Sequence, residues 1–156
     1  MKSAVPLIDF ETAAKSLTPD EYAHRLRDVE LTGLTLENLT ADSDKDAIAP
    51  GGSIRLRIRR DVSATANESG VTGLLLLYTV TGAVGRKRAV HIRAQYRIHL
   101  RSSSELTAEF LAIYARSSAD LNVWPFLREL VHSLTSRMDV PILTLPLLQN
   151  PGVLDH

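Results

Sequence analysis

Residues 121–146 read LNVWPFLRELVHSLTSRMDVPILTLP, and this stretch does more than any other to decide the fold. Proline is favoured in the first turn of a helix, so Pro125 predicts a helix that begins near Trp124. Apolar residues then recur at helical spacing and should form one buried stripe. Pro141 prevents the helix from continuing, so residues 142–148 should run extended. The predicted stripe consists of Leu127, Leu130, Val131, Leu134 and Met138.

Upstream of this segment the sequence has the patterns of an antiparallel sheet. From Val90 to Arg101, apolar and polar residues alternate strictly, as they do in a half-buried strand. Residues 54–62 alternate less regularly, because Arg60 breaks the pattern, and residues 71–80 form the apolar run typical of a central strand. A first strand over residues 26–36 changes phase at Gly33, which predicts a β-bulge.

Helical signals follow the strands. Ser102 and Glu105 fit a capping box, and Leu106, Phe110, Ile113 and Tyr114 share one helical face. Residues 118–123 should connect this helix to the next one. Strands that precede helices indicate an α+β fold, here a four-stranded antiparallel sheet with two C-terminal helices packed on one face.

The chain length of 156 residues suggests one main domain. We expect an N-terminal arm at residues 1–24, the domain at 25–148 and a C-terminal tail at 149–156. In the arm, Thr18 followed by Pro19 indicates the start of a short helix.

Composition excludes several classes of function. The chain has no cysteine, which excludes disulfides, thiol catalysis and cysteine-ligated metals. The longest apolar run, Leu74–Val80, is too short to cross a bilayer, and residues 1–20 do not have the apolar core of a secretion signal. We therefore expect a protein that stays in the cytoplasm and does not insert into membranes.

The sequence also lacks the patterns of a catalytic or metal site. The five histidines show no metal-ligand spacing with carboxylates. His91 and His99 lie eight residues apart on a strand, roughly 26 Å at strand rise, which is too far to share an ion. We expect no enzymatic activity, no cofactor and no metal.

The C-terminal segment resembles the SecB family of export chaperones. In that family the second helix opens with an apolar-aromatic-Pro-aromatic-x-Arg-Glu pattern, and the chain continues through Ser/Thr-Arg to Pro and Leu-x-Leu. The corresponding residues are Val123-Trp124-Pro125-Phe126-Leu127-Arg128-Glu129, then Ser136-Arg137, then Val140-Pro141-Ile142-Leu143-Thr144-Leu145-Pro146. The order of strands and helices agrees with this resemblance.

The resemblance implies a binding function that involves no catalysis. It implies an ATP-independent holdase that binds unfolded or aggregation-prone polypeptides, either for protein export or for one dedicated client. It also implies dimers and then homotetramers, paired through the first strand and the first helix of the domain.

An apolar groove near the loop between the two helices is the expected client-binding site. Each large apolar side chain buried there would contribute about 1.5–3 kcal/mol, and several such contacts would hold a client without reading its sequence. The same residues could instead seal the helices against the sheet. The candidates are Leu121, Val123, Trp124, Phe126 and Leu127, with Leu74, Leu76 and Tyr78 on the central strand as weaker ones.

Three departures from the family pattern limit what the resemblance implies. Met138 stands where a glycine is usual, and the tail lacks the family's aromatic ending. Family members also use an acidic sheet surface to dock on the SecA motor, whereas the polar faces here are basic. We therefore do not expect the SecA interaction, and this chain could be one of the SecB-like chaperones that serve aggregation-prone antitoxins.

The neutral chain contains one strongly basic stretch. Residues 51–101 hold ten Arg or Lys against two acidic residues, although the whole chain has 18 of each sign. This basic face could be solvated and paired with Asp28, Glu30 and Glu37 on the first strand. Alternatively, the chain is an adaptor that binds an acidic protein partner through it. Nucleic acid is less favoured, because no aromatic residue on that face could stack on bases. The face consists of Arg55, Arg57, Arg59, Arg93, Arg97 and Arg101.

Overall fold

A computed structural model of the chain describes residues 3–48, 52–67 and 70–148. In these ranges the chain forms five β-strands, four α-helices and a short 3-10 turn at Lys45–Ala47. The strands are β1 (Ser3–Pro6), β2 (Val29–Ser43), β3 (Arg55–Asn67), β4 (Gly70–Val84) and β5 (Lys87–Ser102). The helices are α1 (Phe10–Ser16), α2 (Pro19–Leu26), α3 (Ala108–Ser117) and α4 (Ala119–Arg137).

The five strands form one antiparallel sheet in the order β1-β3-β4-β5-β2. One face, here called the helical face, carries the buried apolar side chains of β4 and β5, against which α3 and α4 pack. The opposite, open face carries the polar side chains, as the alternation predicted. The α+β class is thereby confirmed. The buried side chains include Leu74, Leu76, Val80, Val90, Ile92 and Ile98.

The predicted four strands and two helices are too few. Residues 3–6 form an additional edge strand that pairs with Ser63–Ala66 of β3. This strand has only four residues and ends in Pro6, so its sequence signal is weak. Proline is tolerated in an edge strand, where one side of the backbone has no partner strand. Helix α1 is capped by Asp9, and α2 begins at the predicted Thr18 cap.

The additional N-terminal helices cover α3. The ring of Tyr22 stacks on that of Phe110, with the centroids 5.2 Å apart. The Tyr22 hydroxyl lies 3.1 Å and 3.0 Å from the Oγ atoms of Ser117 and Ser118. Arg25 donates a hydrogen bond to the Thr107 hydroxyl. Helix α3 is thus enclosed between the sheet and the N-terminal segment.

The predicted start of the last helix is wrong. Helix α4 begins at Ala119, so the expected connection over residues 118–123 is a single residue, Ser118. Pro125 therefore lies inside the helix, where it leaves the Leu121 carbonyl without its usual N–H donor. Leu121 is 53% exposed, so water can satisfy that carbonyl and the proline is tolerated.

Two other predictions are confirmed. The pairing of β2 with β5 shifts register between Leu31 and Gly33, at the predicted bulge. Beyond α4, residues 142–148 continue without helix, with Leu143 and Leu145 buried. The predicted tail, residues 149–156, lies outside the described residues. Among the helices of the described residues, none is both long and apolar enough to cross a membrane.

Candidate polypeptide-binding surface

A buried polar cluster fixes the first turn of α4 to the sheet. Arg60 points to the helical face of β3 and forms an ion pair with Asp120 on α4. It also donates a 2.7 Å hydrogen bond to the Ala115 carbonyl of α3, while the Tyr78 hydroxyl donates to Asp120 at 2.5 Å. Burial, and secondly the Asp120 charge, raise the pKa of Tyr78, so it stays a neutral donor.

Most of the residues predicted to line a groove belong to the core. Helix α4 buries one stripe against β5, and that stripe includes three of the five predicted helix residues. The three β4 residues point to the same core and are fully enclosed. A client could not reach any of these six side chains in this conformation, which corrects the predicted lining. They are Val123, Trp124, Leu127, Leu74, Leu76 and Tyr78, with exposures of at most 4%.

The C-terminal segment accounts for the burial of Trp124. Its indole N–H donates to the Pro146 carbonyl at 2.9 Å, and Arg128 donates to the Leu145 carbonyl at 2.8 Å. Further along, the Thr135 hydroxyl accepts the backbone N–H of Leu143 at 3.0 Å. The residues after Pro141 therefore lie along one flank of α4 and close that side of the helix.

Only Leu121 and Phe126 of the predicted groove residues are exposed, at 53% and 55%. Phe126 lies on the flank of α4 that the C-terminal segment leaves open. Glu129 and Leu130 share this flank, because residues three and four apart are neighbours on a helix. This flank therefore presents a large aromatic ring beside a half-buried leucine.

Edge strand β2 carries further exposed apolar side chains. Leu31, Leu36 and Leu39 pair with Leu100, Tyr96 and Ala94 of β5, so they belong to the helical face. They are nevertheless 40%, 38% and 37% exposed, because in the described residues no helix covers that part of β2. The sheet thus extends beyond the helical layer and leaves an apolar border.

Tyr96 connects these two exposed regions. It pairs with Leu36, and burial, followed by the negative charge of Glu129, raises the pKa of Tyr96 to about 12. Glu129 is therefore close to β5 at the position where β2 is uncovered. The exposed apolar side chains on the flank of α4 and on the border of β2 are here grouped under one name, the β2–α4 strip: Leu31, Leu36, Leu39, Phe126 and Leu130.

Sequence reasoning did not identify the three leucines of β2 as candidates. Leu31 and Leu36 fall in the strand predicted over residues 26–36, whereas Leu39 lies beyond it. A leucine on the covered face of a strand also looks the same in sequence whether or not a helix lies above it. The exposure depends on how far the helical layer extends. The full length of β2, 15 residues, is known only from the structure, because the sequence pattern predicted a strand over residues 26–36.

The predicted basic face lies on the open side of the sheet. Arg97 forms a bidentate ion pair with Glu37, and Arg101 pairs with Glu30 at 2.5 Å. Pairing with acidic residues of the first strand was one of the alternatives that the sequence left open for this face. Asp28, the third predicted partner, is joined to none of these arginines by an ion pair in the described residues. Arg55, Arg57, Arg59 and Arg93 are exposed on the same face.

The fold matches that of a known chaperone. The Mycobacterium tuberculosis Rv1957 SecB-like chaperone, solved in complex with a ChAD peptide from the Rv1956 HigA1 antitoxin, superposes with a TM-score of 0.70. The identity is 19%, and the match covers 83% of this chain and 98% of that one. The chain therefore has the SecB-like fold.

Other comparisons add little to this result. A protein of unknown function from Streptococcus agalactiae matches at a TM-score of 0.33 and 14% identity, over 76% of this chain and 96% of that one. No model of a known protein family matches the sequence, and no curated protein matches it significantly.

Proposed function

We propose that this protein is an ATP-independent chaperone that binds unfolded or aggregation-prone polypeptides through the β2–α4 strip. The observation that carries the proposal is a group of exposed apolar side chains on the helical face of a SecB-like fold. Large exposed apolar patches on soluble proteins commonly mark sites of interaction. Binding to the strip needs no cofactor or catalytic group. It depends on the hydrophobicity of the client rather than on the exact sequence of the client.

The proposed clients are extended segments with spaced apolar residues. Each client side chain buried on the strip would contribute about 1.5–3 kcal/mol, before the cost of ordering the client is subtracted. Individual contacts are therefore weak. Several copies of the strip in one assembly would raise the overall affinity, because a client bound at one copy is held near the next.

We further propose that the chain self-associates through the edge of β2. An unpaired edge strand exposes N–H and C=O groups that a second strand can satisfy. Helix α3, the other element expected at a subunit contact, is covered by Tyr22 and its neighbours. Pairing through β2 alone favours a dimer, and a tetramer would need a second surface or displacement of the N-terminal helices.

A dedicated client in the cytoplasm fits this chain better than general export. The SecB-like chaperone of matching fold was solved with an antitoxin peptide. The open face here carries six arginines, whereas the family resemblance implies an acidic sheet surface for docking on SecA. We therefore propose a single aggregation-prone client, such as an antitoxin, rather than a broad set of export substrates.

Substitution of two strip residues provides the test. Leu36→Ser with Phe126→Ser should remove one exposed apolar side chain from β2 and one from α4 while leaving the core intact. We expect the wild type, at stoichiometric amounts and without ATP, to suppress light scattering of a denatured client diluted into buffer. The double variant should lose most of that suppression.

A matched control separates the strip from general surface hydrophobicity. Ile8→Ser alters a side chain of similar exposure, 36% against 38% for Leu36, beside the opposite edge of the sheet. It should suppress aggregation like the wild type. If wild type does not suppress aggregation, the chaperone proposal is wrong. If Leu36→Ser/Phe126→Ser suppresses it fully while folded, clients bind elsewhere.

A further inference from the structure

The open face of the sheet carries a second surface that the proposed chaperone function does not use. Register places Arg59 and Arg93 opposite Thr79 of the intervening strand β4, so the two arginines lie in one row across the sheet. Two strand spacings separate their backbones by about 9.5 Å. Arg57 lies two residues before Arg59 and points to the same side.

These three arginines differ from their basic neighbours in lacking acidic partners. Arg97 and Arg101 are paired with Glu37 and Glu30 on β2. In the ranges that the structure describes, no ion pair reaches Arg57, Arg59 or Arg93. Asp61, two residues after Arg59, is the acidic side chain of β3 on this face, and it is not ion-paired to them either. The three arginines against the single carboxylate of Asp61 therefore give this part of the face a net positive charge.

Two shallow depressions accompany the arginines. One, of about 210 Å³, is lined by Asn38, Thr40, Leu77, Arg93 and Gln95. The other, of about 330 Å³, is lined by Arg55, Leu56, Arg57, Thr81 and Ala83. Both combine guanidinium groups with hydroxyl or amide groups. This is the chemistry that recognises carboxylates, because guanidinium groups bind them with paired N–H donors.

We propose that the open face binds an acidic polypeptide segment across Arg57, Arg59 and Arg93. Neighbouring arginines on one strand are about 6.7 Å apart, which matches side chains two residues apart in an extended peptide. An extended acidic segment can therefore place successive carboxylates on this surface. Because it lies on the opposite face of the sheet from the β2–α4 strip, a client and an acidic partner can bind at the same time.

The test uses a fluorescein-labelled peptide of about 12 residues in which Glu alternates with Ser, enough to extend about 40 Å across the face. Fluorescence anisotropy should show binding that weakens as NaCl rises from about 50 to 300 mM. Arg59→Glu with Arg93→Glu should weaken binding roughly tenfold or more, because two attractions become repulsions. A peptide with Gln in place of Glu should not bind.

A matched control and a competing ligand complete the experiment. Lys15→Glu with Arg27→Glu makes the same change in net charge at exposed positions outside the open face, and it should bind the peptide like the wild type. Equal weakening by both double variants, or no weakening by Arg59→Glu/Arg93→Glu, would overturn the proposal. Tighter binding of a single-stranded oligonucleotide of equal charge, displacing the peptide, would also overturn it in favour of nucleic acid. Client protection by Arg59→Glu/Arg93→Glu should stay at the wild-type level.

Discussion

Arg60 and Asp120 form an ion pair inside the core, with side chains that are 1% and 0% exposed. The pair joins β3 to the first turn of α4 across 60 residues of sequence. Arg60 also donates to the Ala115 carbonyl and Tyr78 donates to Asp120, so strands β3 and β4 and both C-terminal helices are joined by one buried polar cluster. A buried charge pair of this kind is costly to break, because the remaining charge has no water to solvate it.

Asp120→Asn tests this role. The substitution keeps the size of the side chain but leaves the Arg60 charge uncompensated, and it should lower the free energy of unfolding by about 3–5 kcal/mol. Urea denaturation followed by circular dichroism measures the loss. Asp20→Asn, which removes an exposed carboxylate from the first turn of α2, should cost less than about 1 kcal/mol. A similar, small loss for both variants would contradict the anchoring role.

Thr135 should hold the C-terminal segment against α4. Its hydroxyl accepts the Leu143 N–H at 3.0 Å and donates to the Val131 carbonyl at 2.8 Å, in a fully buried position. Thr135→Val leaves the Leu143 N–H without an acceptor and should cost about 1–3 kcal/mol. Thr135→Ser keeps the hydroxyl and should cost less. Faster hydrogen exchange at Leu143 in the valine variant alone would identify the broken bond, and unchanged exchange would contradict this assignment.

Stability at high pH should depend on buried tyrosines. Burial is the main cause that raises the pKa of Tyr96 and of Tyr114 from 10.0 to about 12. Both phenols therefore hold their protons more tightly in the folded state. Their contribution is fully present below pH 10 and is lost as the pH rises towards about 12. The urea midpoint should fall across this window, and it should fall less in Tyr96→Phe. An identical pH profile in that variant would show that Tyr96 is not responsible.

The sequence predicted the parts of the fold that depend on local pattern. The alternation from Val90 to Arg101 identified both faces of β5, and the phase change at Gly33 identified the bulge. These features follow from the two-residue period of a strand. Strand β1 was missed because four residues that end in proline carry too little pattern.

The candidate site was less predictable, because exposure depends on packing between distant segments. Trp124 was predicted to line the groove, but the segment that ends near Pro146 covers it. Arg60 broke the alternation of its strand, but sequence alone could not identify Asp120 as its partner. Conversely, Leu36 was not among the predicted site residues and is 38% exposed, because the helices do not extend over β2.

Native mass spectrometry of the protein, alone and with a denatured client, is the most direct test of client binding. Without any nucleotide, the protein should form complexes of defined stoichiometry with the client. Leu36→Ser/Phe126→Ser should weaken them and Ile8→Ser should not. Spectra that contain only client-free protein, under conditions where the client alone aggregates, would contradict the proposal that this SecB-like fold is a chaperone.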